Sequence, residues 1–179
     1  SQLWLQSSLG YVLQAPHLFS GTVADNLRFA KPNATDEEIR KAAQMVHAEE
    51  FILNLPGGYN AQVGEGGGKL STGQKQLLSL ARVLLADPKI FILDEATSSI
   101  DTETEALIQD AIQTVLAGRT SFIVAHRLST IRSAHRILVI RAGTIIESGS
   151  HDELMNQKGA YYSLYTHQYR NEATQAIMQ

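Results

Sequence analysis

Residues 89–101 read Lys-Ile-Phe-Ile-Leu-Asp-Glu-Ala-Thr-Ser-Ser-Ile-Asp. The apolar run Ile90 to Leu93 is too short for a free-standing helix and is rich in β-branched and aromatic side chains, so it reads as a strand buried on both faces. Asp94 and Glu95 follow at once. Burying ionised carboxylates is costly, so two acids at the mouth of a buried strand point to a cation or a reacting group there. The plainer alternative is a strand that ends in two solvated acids. After Lys89 the chain alternates strands and helices, the usual sign of a parallel sheet with crossover helices and so of an α/β fold.

The sequence on either side of this stretch fits that fold class. Leu9 to Leu13 reads as a short strand, stopped at Gln14-Ala15-Pro16 because proline cannot donate to a ladder. From Thr22 to Ala86 the patterning is helical. Thr22 to Phe29 is a short helix, broken at Lys31-Pro32-Asn33. Thr35 and Glu38 form a capping box ahead of Ile39, Ala42, Ala43 and Val46, and Phe51 to Leu55 continues helically to Pro56. A glycine-rich loop, Gly64 to Gly68, precedes a helix opened by Ser71-Thr72-Gly73-Gln74, with Leu77, Leu78, Ala81, Leu84 and Leu85 on its apolar face and Asp87-Pro88 at its end. The helix Thr102 to Ala117 is expected to start from a capping box of Thr102 and Glu105, and Ser121 to Ala125 reads as a second buried strand ending at His126. Ile137 to Ile140 and Thr144 to Glu147 form a hairpin around Arg141-Ala142-Gly143. A capped helix over Ser150 to Asn156 and an amphipathic one carrying Tyr161, Tyr162, Leu164 and Tyr165 complete the pattern, and the polar tail beyond Arg170 is expected to be loosely held.

The balance of charge narrows the partners. A formal net charge of -3, with no cluster of Lys and Arg, offers no basic field for a nucleic-acid backbone, so nucleic acid is not an expected partner. With no cysteine, disulfides and thiolate metal sites are excluded. No apolar segment approaches the roughly 18 residues that cross a bilayer, so work at a membrane would need a span from another chain or segment.

Three polar groups fall at three strand ends: Gln14, the Asp94/Glu95 pair, and His126. In an open parallel sheet the carboxyl ends of the strands share one edge, where ligands bind. Ser71 meanwhile opens a helix whose first N–H groups suit an anion, although Ser-x-x-Gln is also an ordinary capping box.

These residues together resemble the ATP-binding cassette (ABC) proteins. Leu70-Ser71-Thr72-Gly73-Gln74 is similar to their signature motif, Ile90 to Glu95 to their Walker B strand and catalytic glutamate, and Ser98-Ser99-Ile100-Asp101 to their D-loop. Gln14 resembles the Q-loop glutamine and His126 the switch histidine. The segments Gln14 to Thr22 and Val63 to Gly67 look more like an exporter than an importer. The resemblance implies an α/β, P-loop NTPase-like core with an inserted helical lobe, divided into residues 1–15 (end of a core strand and Q-loop), 16–86 (helical lobe with the signature), 87–165 (Walker B, D-loop and switch-histidine core) and 166–179 (polar tail). It implies ATP and Mg²⁺ as cofactors, with Asp94 and Gln14 on the metal, Glu95 as general base and His126 on the γ-phosphate. Ser71, Thr72, Gly73 and Gln74 would reach a nucleotide held by a second cassette, and Asp101 would cross that interface. The implied partners are this second cassette, identical or not, and a transmembrane domain, at the cytoplasmic face of the cell membrane.

Two departures bear on this. Thr72 stands where the family most often has glycine, which puts a β-branched residue in a tight approach. The phosphate-binding Gly-x-x-x-x-Gly-Lys-Ser/Thr loop is expected before Gln14, and nothing in the thirteen preceding residues matches it. Gly64 to Lys69 does not replace it, since the glycine spacing is wrong and Leu70 follows the lysine. The sequence therefore reads as a truncated domain, lacking its N-terminal strands and P-loop and inactive by itself. An alternative is a cassette that donates its signature to a partner without hydrolysing ATP, to which the presence of Glu95 is opposed. Leu18 and Phe19 are candidates for a groove that receives the transmembrane domain, with core packing the rival reading, whereas His17, His47, His135, His151 and His167 read as surface or cap residues.

Overall fold

A computed structural model describes residues 8–12, 16–94, 100–125 and 127–177. The chain forms two compact units, Ser1–Val124 and Ala125–Gln179.

In the first unit three parallel strands, β1 (Leu9–Val12), β2 (Ile90–Asp94) and β3 (Thr120–Val124), lie in the order β1-β2-β3. Leu93 is level with Val12 on one side and with Ile123 on the other. Between β1 and β2 come four helices: α1 (Val23–Arg28), α2 (Asp36–Met45), α3 (Glu49–Asn54) and α4 (Thr72–Ala86). The helix α5 (Thr102–Leu116) joins β2 to β3. Three of these helices start from side-chain oxygens, two of them where the sequence indicates. Thr35 accepts from the Glu38 N–H, and Ser71 from that of Gln74, each glutamate or glutamine returning the bond. Thr22 and Asp25 make a third reciprocal box at α1, satisfying N–H groups that a helix start leaves over.

Several expectations are corrected. The helical reading from Thr35 to Leu55 divides in two, because His47 adopts a left-handed φ of 59° between α2 and α3. The buried positions of α4 include Leu80 and Val83, while Leu84 and Leu85 are half-buried. The start of α5 is capped by Asp101, not Thr102: the Asp101 carboxylate accepts the Thr104 N–H at 2.8 Å.

The sheet is packed on one face only among the described residues. Val12, Phe91 and Leu93 join Leu77, Leu78 and Ala81 of α4 and Ile108, Ala111, Ile112 and Val115 of α5 in one core. On the opposite face Tyr11, Phe122 and Val124 are exposed, and Ile90 and Ile92 are half-buried. The expectation that β2 and β3 are buried on both faces is thus wrong, because α4 and α5 both pack into the core on the same side. Phe91→Ala is therefore expected to cost about 3–5 kcal/mol of stability. Phe122→Thr, on the open face, should shift it by less than about 0.5 kcal/mol, and urea denaturation of the chain measures both.

The second unit holds α6 (Leu128–Ser133), the antiparallel hairpin β4 (Ile137–Arg141) and β5 (Thr144–Gly149), α7 (His151–Gln157) and α8 (Ala160–Ile177). Ala142 and Gly143 form the turn with φ of 49° and 77°, the doubly positive geometry that a two-residue hairpin loop prefers. Ser150 caps α7 with Glu153 as its reciprocal partner. Glu147 receives the Ala160 and Tyr161 N–H groups and so caps α8 from the hairpin. Val139, Leu154 and Tyr161 form the unit's small core. The helix α8 continues past Arg170 to Ile177, so the segment read as a loosely held tail is helical.

Candidate functional site

The predicted site residues fall into those the structure describes and those it does not. Gln14, Glu95 and His126 lie outside the described residues. Each follows closely, in sequence, one of the three parallel strands, whose last described residues are Val12, Asp94 and Val124. Parallel strands end at a common edge, so the described part of the sheet sets up the edge at which an α/β fold binds its ligand. Asp94 itself ends the central strand, half-buried and level with Val124.

The signature residues are fully described. Ser71 is exposed, and its Oγ accepts the Gln74 N–H at 3.2 Å while Gln74 Oε1 accepts the Ser71 N–H at 3.0 Å. A serine hydroxyl that accepts in a cap still carries a proton to donate, so capping and anion binding are compatible here. The N–H groups of Thr72 and Gly73 stand outside that box, at the positive end of a fifteen-residue helix. Thr72 is exposed at the first helical position, directly after the Ser71 cap.

Gly73 is different. It is buried, and a β-carbon on it would come 2.3 Å from Thr104 Cγ2 and 3.5 Å from Ile100 Cγ2. Glycine here lets the start of α4 lie directly against the start of α5. The structure thereby brings together two of the sequence-predicted elements, the signature and Asp101. Hydrogen bonds from the Thr104 backbone, then from its side chain, hold the Asp101 carboxyl below its ordinary pKa. Asp101 is therefore an anion that answers the positive end of α5.

These residues fit the cofactors the resemblance implies. Among the described residues no three His, Cys, Asp or Glu side chains cluster as an all-protein metal cage. Magnesium in nucleotide sites needs none, taking one or two carboxylates along with phosphate oxygens and water, and Asp94 at the strand end is such a carboxylate. Gly64 to Lys69 forms a turn, with a short 3₁₀ segment over Glu65–Gly67 packed near Leu18, and no phosphate-cradling helix start.

Leu18 and Phe19 separate. Leu18 is fully buried in the core, which removes it from any docking groove. Phe19 is 41% exposed and stacks on Phe29, itself 64% exposed, with ring centroids 4.2 Å apart. The His17 ring meets Phe19 edge-on at 5.2 Å. Phe29 escaped the sequence reading as anything but the end of a helix, and its one local signal is an aromatic residue standing just past the last turn, next to Lys31-Pro32. Of the histidines, His47 pairs with Asp110 at 2.6 Å and His151 with the Tyr161 hydroxyl at 2.7 Å, in keeping with surface and packing roles.

A parallel α/β sheet with Asp94 at the end of its central strand, and a helix start with N–H groups to offer an anion, are the frame of an α/β nucleotide-binding domain. Residues 2–98 match the family model described as ABC transporter, and the chain belongs to that family. It is 56% identical over 165 residues to an uncharacterized ABC transporter ATP-binding protein of Bacillus subtilis, YknV, covering 92% of this chain and 27% of that protein. It is 50% identical over 160 residues to a fatty acid ABC transporter ATP-binding/permease protein of Mycobacterium bovis, covering 89% of this chain and 25% of the relative. Among solved structures, a bacterial Atm1-family ABC exporter with ATP bound superposes with a TM-score of 0.84 at 39% identity, over 94% of this chain and 29% of that one. The chain thus spans about a quarter of the length of these relatives. None of its described helices is long and apolar enough to cross a membrane.

Proposed function

We propose that the intact protein is an ABC exporter whose cassette, represented by this chain, binds and hydrolyses ATP with Mg²⁺ at the cytoplasmic face of the cell membrane. The observation that carries this reading is the close contact of Gly73 with Thr104 and Ile100, which joins the signature helix to the Asp101-capped helix in a chain whose sequence also holds the Walker B acids. When bound, Mg²⁺-ATP supplies the γ-phosphoryl group and the metal that offsets its developing charge. The chain's own groups orient and neutralise. Asp94 and Gln14 would hold the metal, Glu95 would take a proton from the attacking water, and His126 would contact the γ-phosphate and orient Glu95. Ser71, Thr72, Gly73 and Gln74 present hydroxyl and N–H groups to the γ-phosphate of a nucleotide on a second cassette, and Asp101 reaches across the same interface. Head-to-tail closure of two cassettes then drives the transmembrane domain. For docking of that domain, the exposed Phe19–Phe29 pair takes the place assigned from sequence to Leu18 and Phe19, since apolar surface left open beside polar neighbours marks an interaction site.

The test is ATP hydrolysis by the purified intact protein in lipid, with and without Mg²⁺. Metal-dependent turnover is expected. The 179-residue chain alone, which holds no lysine-bearing phosphate loop, is expected to show none. An intact protein that binds no ATP would remove the proposal.

A further inference from the structure

The helix α4 carries a second feature, about 15 Å along its axis from the signature. The Arg82 guanidinium donates from Nε to the Asn26 carbonyl at 2.8 Å, from one terminal nitrogen to the His17 carbonyl at 2.7 Å, and from the other to Asn26 Oδ1. Its central carbon stands 5.6 Å from the centre of the Phe19 ring. Asn26 is 1% exposed and fully used: its amide donates to the Phe19 and Thr22 carbonyls, both at 2.9 Å, and its Oδ1 also accepts the Phe19 N–H at 2.9 Å. One planar fork thus holds the backbone of residues 17–19, the helix α1 and the exposed ring pair against the signature helix. Burial pulls the Arg82 pKa below its ordinary value, the cost of seating a cation among neutral acceptors. A surface ion pair would serve to join two helices without that cost.

We propose that Arg82 is a positioning residue of the ATPase cycle: its fork fastens the segment that follows Gln14, and the Phe19–Phe29 surface with it, to the helix that begins at Ser71, so the two move as one body. Nucleotide contact at Gln14 or Ser71 then reaches the docking surface without a separate moving part. This rests on the proposed ATPase function. Lysine cannot replace the fork, because an ammonium on a single stem does not present three donors in one plane.

The test uses the intact protein in lipid nanodiscs, with 4-fluorophenylalanine at position 19. In the parent protein, ATP is expected to shift the fluorine resonance. Arg82→Met should abolish that shift and lower kcat for ATP by about tenfold or more, while KM for ATP moves less than about threefold, the pattern of a lost turnover contact and not of lost binding. Arg82→Lys should fall between the two, with at most half of the parental shift. A kcat equal to the parent's overturns the proposal. So does a lowered kcat with the ATP-dependent shift intact, which is the result of a staple that only stabilises the lobe. If Arg82→Met does not fold, Arg82→Lys decides, and a full parental shift in that variant overturns the fork. A parent protein that hydrolyses no ATP counts against the proposed function; one that does, alongside an Arg82→Met protein indistinguishable from it, counts against the latch alone.

Discussion

Glu95→Gln in the intact protein is expected to lower kcat for ATP by about 10²- to 10⁴-fold, the range general-base catalysis supplies, and to leave KM for ATP within about threefold. The substitution keeps the size and shape of the side chain and removes only the ability to take a proton. It should also leave stability alone. Glu95 follows a strand paired on both sides, to β1 and to β3, and the packed face of that strand is carried by Phe91 and Leu93. The thermal midpoint is expected to stay within about 2 °C of the parent's, since an isosteric change neither opens a cavity nor overpacks its neighbours. Steady-state turnover and a melting curve on the same preparation separate the outcomes. A kcat within tenfold of the parent's removes Glu95 from the role of base, whereas a fall in both kcat and midpoint makes the residue structural.

Legibility in the sequence follows how local each determinant is. The capping boxes at Thr35, Ser71 and Ser150 were readable because donor and acceptor are three residues apart. At α5 the sequence reading took the register from Thr102 to Glu105, and the structure starts the helix one residue earlier. Asp101 caps, since its carboxylate reaches the Thr104 N–H. The break at His47 carries no glycine or proline, so nothing in its neighbourhood announces a left-handed residue. The open face of Phe122 and Val124 is not a local property at all: the strand pattern is satisfied equally whether one side or both are covered, and the placement of α4 and α5 decides. Leu18 and Phe19 look alike in sequence yet one is core and the other surface. The Arg82 fork spans 56 and 65 residues of chain and was invisible for that reason. The runs that resemble the signature, the Walker B strand and the D-loop stand out because each is a contiguous stretch of residues. What the sequence did not convey is why Gly73 must be glycine.

That reason leads to the second large effect. Gly73→Ala places a methyl group 2.3 Å from Thr104 Cγ2, well inside van der Waals contact, and Thr104 is β-branched and cannot swing away freely. Alanine gains up to about 1 kcal/mol of helix propensity over glycine, but overpacking costs about 1–3 kcal/mol, so the single variant is expected to be less stable. Its ATP turnover should fall further, by about 10²-fold, because parting the starts of α4 and α5 misplaces Ser71 relative to Asp101, and displacements near 1 Å have that effect. Thr104→Ser removes the offending methyl and keeps the hydroxyl. In the double variant the clash is gone while the propensity gain remains, so its stability should match or exceed that of Thr104→Ser, a coupling of about 1 kcal/mol or more in the cycle. Turnover separates two explanations of the glycine. The absent β-carbon points at α5, which leaves the Gly73 N–H available to a phosphate, and the double variant is expected to recover kcat to within about threefold of Thr104→Ser. A double variant that is stable but inactive would show instead that the space beside Gly73 is needed by the nucleotide or the second cassette, and that contact with α5 is incidental to the site.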